Sequence, residues 1–480
     1  MYDLRRQALE SGKTVSRKAR SREASRSNSR AASAQSSRQN SRQSSRVASR
    51  YPSDDEDNGV FSDDTAWSTT SLNDLADNPE VDNPNWEEEL AARIQEILDR
   101  KRSSVQGREE SLSAYCRLSK YHYVEEEIRA HVKDLLSAFS RSIKYESSVR
   151  ETTLALRALE LIAITANDNT IYENVEPLLT RTIRNSTSNL VKAAAIHCLG
   201  SCTFFGGAGE DDHLEQMNFF LDIIASDGHS IDAADDAGSV TAALQEWGFL
   251  ATEIDDLEGE SEEAIETFID QLESSDPGVQ IAAGENIALL YEKSYTPQED
   301  DEEDEGHSDD DDASVLSAGD PDGPKLVKRY NAYHNTPQLE RILQSLATVS
   351  GKRISKKDKR SLHSNFASIL TTVENPRRGP MYSTAIDQGT NQHYGSKYTV
   401  KIGQEGVMNI DRWWKWIRLA ALRRILQGGF VEHYYQGNRA VLDNLPVMMR
   451  DAPVDRAGAK KAAKNRNSAR RMAFDDEDDH

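Results

Sequence analysis

Three residues stand at a spacing that metal sites use. Cys198 and Cys202 are four residues apart and follow His197, so a helix would bring both thiols to one face. A zinc site would need a second ligand pair at a usable spacing, and the sequence offers none. The sequence therefore favours both cysteines as small, buried apolar residues, and we expect no metal and no cofactor. With Cys116, the cysteines are too few and too scattered for a disulfide framework, which is typical of a reducing compartment.

A second group of residues suits the chemistry of phosphorylation. Within residues 1–50, an arginine repeatedly stands three places before a serine, as a basophilic kinase would require. Phosphate on these serines would cancel positive charge on the arm. The alternative is a low-complexity basic arm without modification. The candidate phosphosites are Ser25, Ser29, Ser41, Ser45 and Ser49.

Cationic side chains at both ends suit contact with RNA. Residues 1–50 hold 13 Lys and Arg against 3 acids, and residues 450–474 hold 8 against 2. Such segments neutralise phosphates and release counterions. Nuclear import is the alternative role, and the acidic end at 475–479 would repel RNA locally. The candidate RNA- or ribosome-binding residues are Arg17, Lys18, Arg20, Arg22, Lys460, Lys461, Lys464, Arg466, Arg470 and Arg471.

The sequence patterns that announce common enzymes do not occur. There is no phosphate-binding loop, no Gly-x-Gly-x-x-Gly fingerprint, no His-Glu-x-x-His and no Gly-x-Ser-x-Gly elbow. The carboxylates lie mostly in acidic runs or at polar helix positions, where solvated charge is the ordinary explanation. We therefore expect a non-enzymatic protein without a small-molecule substrate. No run of 18 apolar residues and no signal-like start are present, so we also expect no membrane partner.

Composition divides the chain into segments. Only 37% of it is hydrophobic while 29% is charged, so part of it is expected not to fold. Residues 1–85 are predicted to be a disordered Ser/Arg-rich arm and acidic linker. Residues 299–324 are predicted to be a disordered acidic insertion, with 11 acids in the 14 residues of 299–312. That insertion could be a spacer, a mimic of nucleic acid, or a site for acid-directed kinases at Ser308 or Ser314.

Helical periodicity dominates the rest. Apolar residues recur at helical spacing over 86–98 and, through five turns, over 124–143. Strand signals are scarce in this region. Further helices are predicted at 147–166, 170–185, 188–204, 213–226, 233–254, 260–273, 277–292, 325–331, 338–349 and 356–373.

An internal repeat organises these helices. Val149, Val191 and Val279 mark similar helix starts, and their separations of 42 and 88 residues fit a period of 42–44. Armadillo and HEAT units have this length. Asp276 is predicted to cap the third start, with Pro277 at the first helical position. Residues 86–373 are thus predicted to form an all-α, armadillo- or HEAT-like solenoid, degenerate around 233–254, whose extended surface binds protein partners.

A small C-terminal module is predicted over residues 374–449, followed by a basic tail with an acidic end over 450–480. Residues 397–402 read as a short strand and 411–426 as a helix with three tryptophans. Apolar residues fall on several sides of that helix, which favours a buried capping helix over a membrane-surface or calmodulin-binding segment.

The segments LRRQALESGKTVSRKARSR at 4–22, WWKW at 413–416 and LRRILQGGFV at 422–431 resemble the interferon-related developmental regulator family. The resemblance covers nearly the whole chain and is most specific in the C-terminal module. It implies an armadillo-type fold and no catalysis. It also implies transcriptional co-regulation through chromatin-modifying partners, and binding to idle ribosomes by a C-terminal segment that enters RNA-lined channels. The early end of this chain after 467–471 departs from the family pattern.

Two functions are therefore expected as alternatives. In the first, the protein is a regulator of gene expression that binds ribosomes or ribosomal RNA through its basic ends and represses translation or stores inactive ribosomes. In the second, it is a nuclear adaptor whose solenoid binds chromatin or transcription proteins. We expect the protein to be cytoplasmic and nuclear.

Overall fold

The computed structural model describes residues 85–100, 103–297, 326–348, 356–386, 393–396, 398–402, 406–445 and 448–449. Helices account for most of them. The helices are α1 Trp86–Leu98, α2 Val105–Tyr121, α3 Glu125–Ile128, α4 Val132–Tyr145, α5 Val149–Thr165, α6 Ile171–Asn185, α7 Asn189–Phe205, α8 Glu210–Ala225, α9 Ala237–Ala251, α10 Glu258–Gln271, α11 Pro277–Lys293, α12 Thr336–Ala347, α13 Lys356–Glu374, α14 Trp413–Leu426, α15 Phe430–Tyr435 and α16 Arg439–Leu442.

Several helices begin at a capping side chain. The Ser148 hydroxyl accepts a hydrogen bond from the Glu151 amide at the start of α5. Asp276 accepts hydrogen bonds from the backbone amides of Gly278 and Val279, and Pro277 occupies the first position of α11. The cap predicted at Asp276 is therefore confirmed.

The helices pair and stack in two rows. Helix α1 packs on α2, α4 on α5, α6 on α7, α8 on α9, α10 on α11 and α12 on α13. The second helices of these pairs form one continuous row, because α2, α5, α7, α9, α11 and α13 each contact the next. The first helices lie on the other side, where α1 contacts α4 and α4 contacts α6. The predicted all-α solenoid is confirmed.

An apolar core runs through the whole stack. Buried side chains from Leu90 in α1 to Phe366 in α13 belong to one connected cluster. The Phe204 and Phe249 rings stack at 4.0 Å, and Trp247 is fully buried. Each large buried side chain contributes roughly 1.5–3 kcal/mol, so packing between pairs stabilises the array more than helix propensity does.

The register of the repeat differs from the prediction at one copy. Val191 and Val279 are the third residues of their helices and are buried. Val149 is the first residue of α5 and is 43% exposed, so it is not their equivalent. The buried Glu151 takes the third position instead. Val149, two residues before Glu151, matched the valines of the other copies in type, and the sequence pattern therefore placed the repeat two residues too early at this copy.

Two predicted elements are wrong in their boundaries or type. The helix expected over 124–143 is split into α3 and α4 at a tight turn, where the His131 amide donates to the Ile128 carbonyl at 2.7 Å. The helix expected over 325–331 is the strand β2, Leu326–Lys328, which pairs antiparallel with β1, Tyr295–Pro297. Pairing across the intervening segment overrides local helical preference there.

Five further strands build two small antiparallel sheets. The strands are β3 Tyr382–Ile386, β4 His393–Ser396, β5 Thr399–Ile402, β6 Gly406–Asn409 and β7 Met448–Met449. In one sheet β3 pairs with β4, and in the other β6 lies between β5 and β7. The strand predicted at 397–402 is confirmed as β5.

Candidate functional site on the covered inner face

We call the side of the stack formed by the row of second helices the inner face, and α14 packs against it. Helix α14 contacts α2, α5, α9 and α11. Each of its residues is buried or half-buried. A helix enclosed on all sides has no need of an amphipathic pattern. The predicted burial of this helix is therefore confirmed.

The start of α14 is held by a carboxylate of α11. Glu292 accepts hydrogen bonds from the Trp413 amide at 2.8 Å and from the Trp414 amide at 3.2 Å. These amides have no partner within the helix, so Glu292 acts as its cap. Burial raises the pKa of Glu292 to about 7, although the Arg412 charge and the two amides work against that rise.

Two indole groups add hydrogen bonds from the same end of α14. The Trp413 Nε1–H donates to Thr372 Oγ1 at 2.7 Å, and the Trp416 Nε1–H donates to Glu285 Oε1 at 2.9 Å. Burial raises the pKa of Glu285 to about 7, which the hydrogen bond from Trp416 partly offsets. The tryptophans therefore fix the position of α14 against α11 and α13 as well as filling space.

Arg418 fixes the middle of α14. Its guanidinium donates to the Thr252 hydroxyl at 2.9 Å and carbonyl at 3.1 Å, and pairs with Glu253 at 2.6 Å. The same group lies 5.4 Å from the Phe204 ring centroid and 5.2 Å from that of Trp414. This combination of stacking and directed hydrogen bonds is one that a lysine could not reproduce.

Arg424 joins α14 to three second helices at once. Its guanidinium lies 2.6 Å from Glu160 Oε1 on α5 and 2.6 Å from Glu246 Oε1 on α9. It also donates to the Ser201 hydroxyl on α7 at 3.2 Å. All four side chains are nearly or fully buried, so this cation compensates two carboxylates that water does not solvate.

Arg157 of α5 completes the network around the end of α14. It pairs with Glu160 Oε2 at 2.8 Å and donates to the carbonyl oxygens of Arg424, at 2.6 Å, and Ile425. Those carbonyls lie in the last turn of α14, where partners within the helix are missing. We call Arg157, Glu160, His197, Glu246 and Arg424 the inner-face network.

The pKa values of the two carboxyl groups of the network are shifted in opposite directions. Burial alone would raise the pKa of Glu160, but the charges of Arg424 and Arg157 outweigh burial and lower it. Burial raises the pKa of Glu246 to about 8, with Arg424 opposing and Glu160 adding to the rise. His197 Nδ1 lies 2.7 Å from Glu246 Oε1, and burial holds the pKa of this imidazole well below its ordinary value.

Gly200 in α7 makes room for the network. A Cβ atom at this position would lie 2.2 Å from Glu246 Oε2 and 2.8 Å from Glu246 Cβ. Glycine in a helix interior costs about 1 kcal/mol relative to alanine, so its presence in α7 reflects this close approach.

The opposite side of α14 packs on the small sheet and the last helices. A second apolar cluster there includes Val400 and Met408 of the sheet with Leu422 and Ile425 of α14. The buried His433 Nε2 lies 3.0 Å from the Ser119 carbonyl of α2. The C-terminal region thus covers the inner face as a folded layer. Burial of the apolar side chains of α14 contributes on the order of 10 kcal/mol.

Most residues predicted to contact partners lie outside the described residues. This holds for all ten candidate RNA-binding residues, the five candidate phosphosites of the N-terminal arm, Ser308 and Ser314. Cys198 and Cys202 are described, and both are fully buried with their sulfurs 4.0 Å apart, as predicted for small apolar residues. In the described part of the chain, no group of three or more potential metal ligands occurs.

The sequence reasoning missed the inner-face network. Its one available signal was a charged residue inside an otherwise apolar helical run, as at Glu160 and Glu246. A buried carboxylate predicts a cationic partner. The arginines of α14, a helix whose lack of an amphipathic pattern predicts burial, were the available candidates. Among the described residues, no helix is both long and apolar enough to span a lipid bilayer.

The fold and the covered inner face place the chain in the class of helical-repeat scaffolds. A family model described as interferon-related developmental regulator matches residues 58–374, and the chain belongs to this family. The match ends at the last residue of α13. Membership indicates a regulatory role in gene expression or differentiation, and the family is named for regulation and not for catalysis.

Individual relatives agree with the family match. The chain is 27% identical to an uncharacterized protein of Schizosaccharomyces pombe over 356 residues, which cover 73% of this chain and 72% of the relative. It is 24% identical to interferon-related developmental regulator 2 of Mus musculus over 392 residues, covering 77% and 75% of the two chains. It is 23% identical to interferon-related developmental regulator 1 of Sus scrofa over 393 residues, covering 78% and 76%.

Proposed function

We propose that this protein is a non-enzymatic regulator of gene expression that binds ribosomes through RNA contacts of its basic ends. Bound in this way, it would repress translation or hold ribosomes inactive. One observation supports the proposal most directly. Helical-repeat scaffolds commonly bind partners along their extended inner surface, and here α14 occupies that surface. Binding must then use the terminal segments or the outer surfaces.

The basic tail suits RNA for a physical reason. Each cation that neutralises a phosphate releases a counterion, so the affinity of such a tail falls steeply with salt. Lys460, Lys461 and Lys464 alternate with alanine and asparagine, whose small side chains fit a narrow channel. The acids at 475–479 limit how far this tail would enter.

Sedimentation of lysate through a sucrose gradient tests the proposal. We expect the intact chain to travel with monosomes at low salt and a chain ending at Met449 to remain at the top. The informative variant carries glutamine at Lys460, Lys461, Lys464, Arg466, Arg470 and Arg471. Its control keeps these residues and carries Asn or Gln in place of the acids at 475–479, and should sediment at least as well as the intact chain.

An intact chain that stays at the top of the gradient at low salt would overturn the ribosome proposal in favour of the nuclear adaptor. In that second function, the solenoid binds chromatin or transcription proteins. A protein partner that the solenoid still retains after both basic ends are removed would support it.

A further inference from the structure

Positive charge is concentrated at one edge of the helical stack, where α4 and α6 end. Arg141 and Lys144 of α4 are exposed, and so are Arg181 and Arg184 of α6. The two pairs are equivalent in the repeat, because 40 residues separate Arg141 from Arg181 and Lys144 from Arg184. Helices α4 and α6 pack side by side. Adjacent helices lie about 8–10 Å apart, so the four cations form one surface.

The turns that follow these helices are joined and carry an exposed aromatic side chain. The Ser186 hydroxyl donates to Glu146 Oε2 at 3.2 Å, which links the turn after α6 to the turn after α4. Tyr145 lies beside this link and is 68% exposed. We call Arg141, Lys144, Tyr145, Arg181 and Arg184 the basic edge patch.

Charges at helix ends do not account for the patch. A cation in the last turn stabilises a helix through its dipole, and Lys144 and Arg184 are in such positions. Arg141 and Arg181 lie further back. The first helices of the next two pairs, α8 and α10, have no basic residue in the last turn. Their edge is instead acidic around a cavity of about 450 Å³ lined by Asp227, Asp235, Asp270, Glu273 and Asp276, among others.

We propose that the basic edge patch is a contact for single-stranded RNA, in which the four cations bind phosphates and Tyr145 stacks on a base. This inference rests on the proposed RNA-binding function and deepens it, because it adds a folded surface to the terminal segments. A chain with a net charge of −23 repels RNA as a whole, so RNA must approach where cations are grouped. Cations beside an exposed aromatic ring are the combination that single-strand binding surfaces use.

Fluorescence anisotropy with full-length protein tests the patch directly. The probe is a labelled single-stranded RNA of about 20 nucleotides, longer than a typical binding site. The test variants are R141Q/K144Q and R181Q/R184Q. The control is R129Q/K133Q, which removes two exposed cations at and just before the opposite end of α4.

The salt dependence of the affinity is the decisive readout. Log affinity falls with log salt, and each lost phosphate contact reduces the magnitude of that negative slope by about 0.7, so each test variant should reduce it by about 1.4. The control should leave the slope unchanged. Tyr145→Ala should reduce affinity several-fold at every salt concentration without changing the slope. Thermal unfolding of all four variants should match the unmodified chain, which separates lost binding from misfolding.

Each outcome discriminates between the patch and the wider proposal. If both test variants bind like the control while the tail variant loses affinity, the patch proposal is overturned and the tail proposal stands. If the intact chain shows no salt-sensitive RNA binding, the RNA-binding function itself fails. If the test variants bind RNA with an unchanged salt dependence but no longer sediment with ribosomes, the patch binds a protein and the RNA assignment is overturned.

Discussion

Arginine serves two different purposes at the inner-face network and at the basic edge patch. In the network, Arg157 and Arg424 are largely buried and pair with carboxylates of other helices. At the patch, Arg141 and Arg181 are exposed on a surface that water solvates. Buried charges are strongly coupled to their partners, while exposed charges are screened. The comparison therefore predicts that network substitutions act on stability and patch substitutions on binding.

The largest effect is expected from Arg424→Met. This change retains a long side chain but leaves Glu160 and Glu246 without their shared cation. Removing one partner of a buried ion pair costs about 3–5 kcal/mol, and here Glu160 keeps only Arg157 as a counter-charge while the buried Glu246 carboxyl loses its contact with Arg424. Urea unfolding at neutral pH, followed by circular dichroism, measures the loss.

The neighbouring arginine is the control for that substitution. Arg423 is half-buried and donates to the Tyr398 hydroxyl at 3.0 Å, so Arg423→Met should cost only about 0.5–1.5 kcal/mol. Adding Glu160→Gln to Arg424→Met should recover part of the lost stability, since it removes a buried charge that then has only Arg157 as a counter-charge. Equal losses for the two arginines would contradict the assignment of Arg424 to a structural network.

A smaller and pH-dependent effect is expected from Glu246→Gln. Because burial raises the pKa of Glu246 to about 8, the folded protein binds this proton more tightly than the unfolded chain does. Its stabilising contribution is complete below the unfolded value of 4.5 and is lost as pH rises towards 8. Glutamine mimics the protonated form, so it should change the unfolding free energy by no more than about 1 kcal/mol at pH 4, where the carboxyl is protonated in the folded chain and largely so in the unfolded chain.

Unfolding curves across pH check this prediction. Relative to Glu246→Gln, the unmodified chain should lose at most about 1.4 kcal/mol per pH unit between pH 5 and pH 8. Glu160→Gln is the matched comparison. The pKa of Glu160 is lowered, so the unmodified chain should gain stability relative to this variant as pH rises from acid towards 4.5. If stability relative to the glutamine variant changed with pH in the same direction for both carboxylates, the opposite shifts of their pKa values would be contradicted.

Sequence patterns predicted the parts of this molecule that local periodicity determines. Most helices of the stack were expected within a few residues, because their apolar residues recur at helical spacing. Helix α2 was not predicted, since its core residues Leu112, Tyr115 and Leu118 are embedded among polar ones. Strand β2 was taken for a helix because its partner β1 lies 31 residues earlier, from Tyr295 to Leu326.

The inner-face network lay beyond such reasoning because its partners are far apart in the chain. Glu160 and Arg424 are 264 residues apart, and only the folded stack brings them to 2.6 Å. The lack of an amphipathic pattern does indicate that α14 is buried. It carries no information on which of the second helices supplies each carboxylate.

The smallest effect on stability is expected at the basic edge patch, and it completes the comparison. R181Q/R184Q removes two exposed cations, one of which lies 5.2 Å from the Phe219 ring. Surface substitutions of this kind usually change the unfolding free energy by less than about 0.5 kcal/mol. Urea unfolding of R181Q/R184Q and of Arg424→Met under the same conditions compares the two losses of unfolding free energy directly. A loss at the patch as large as that in the network would mean that its arginines hold the fold together. That result would contradict the proposal that the patch is a binding surface.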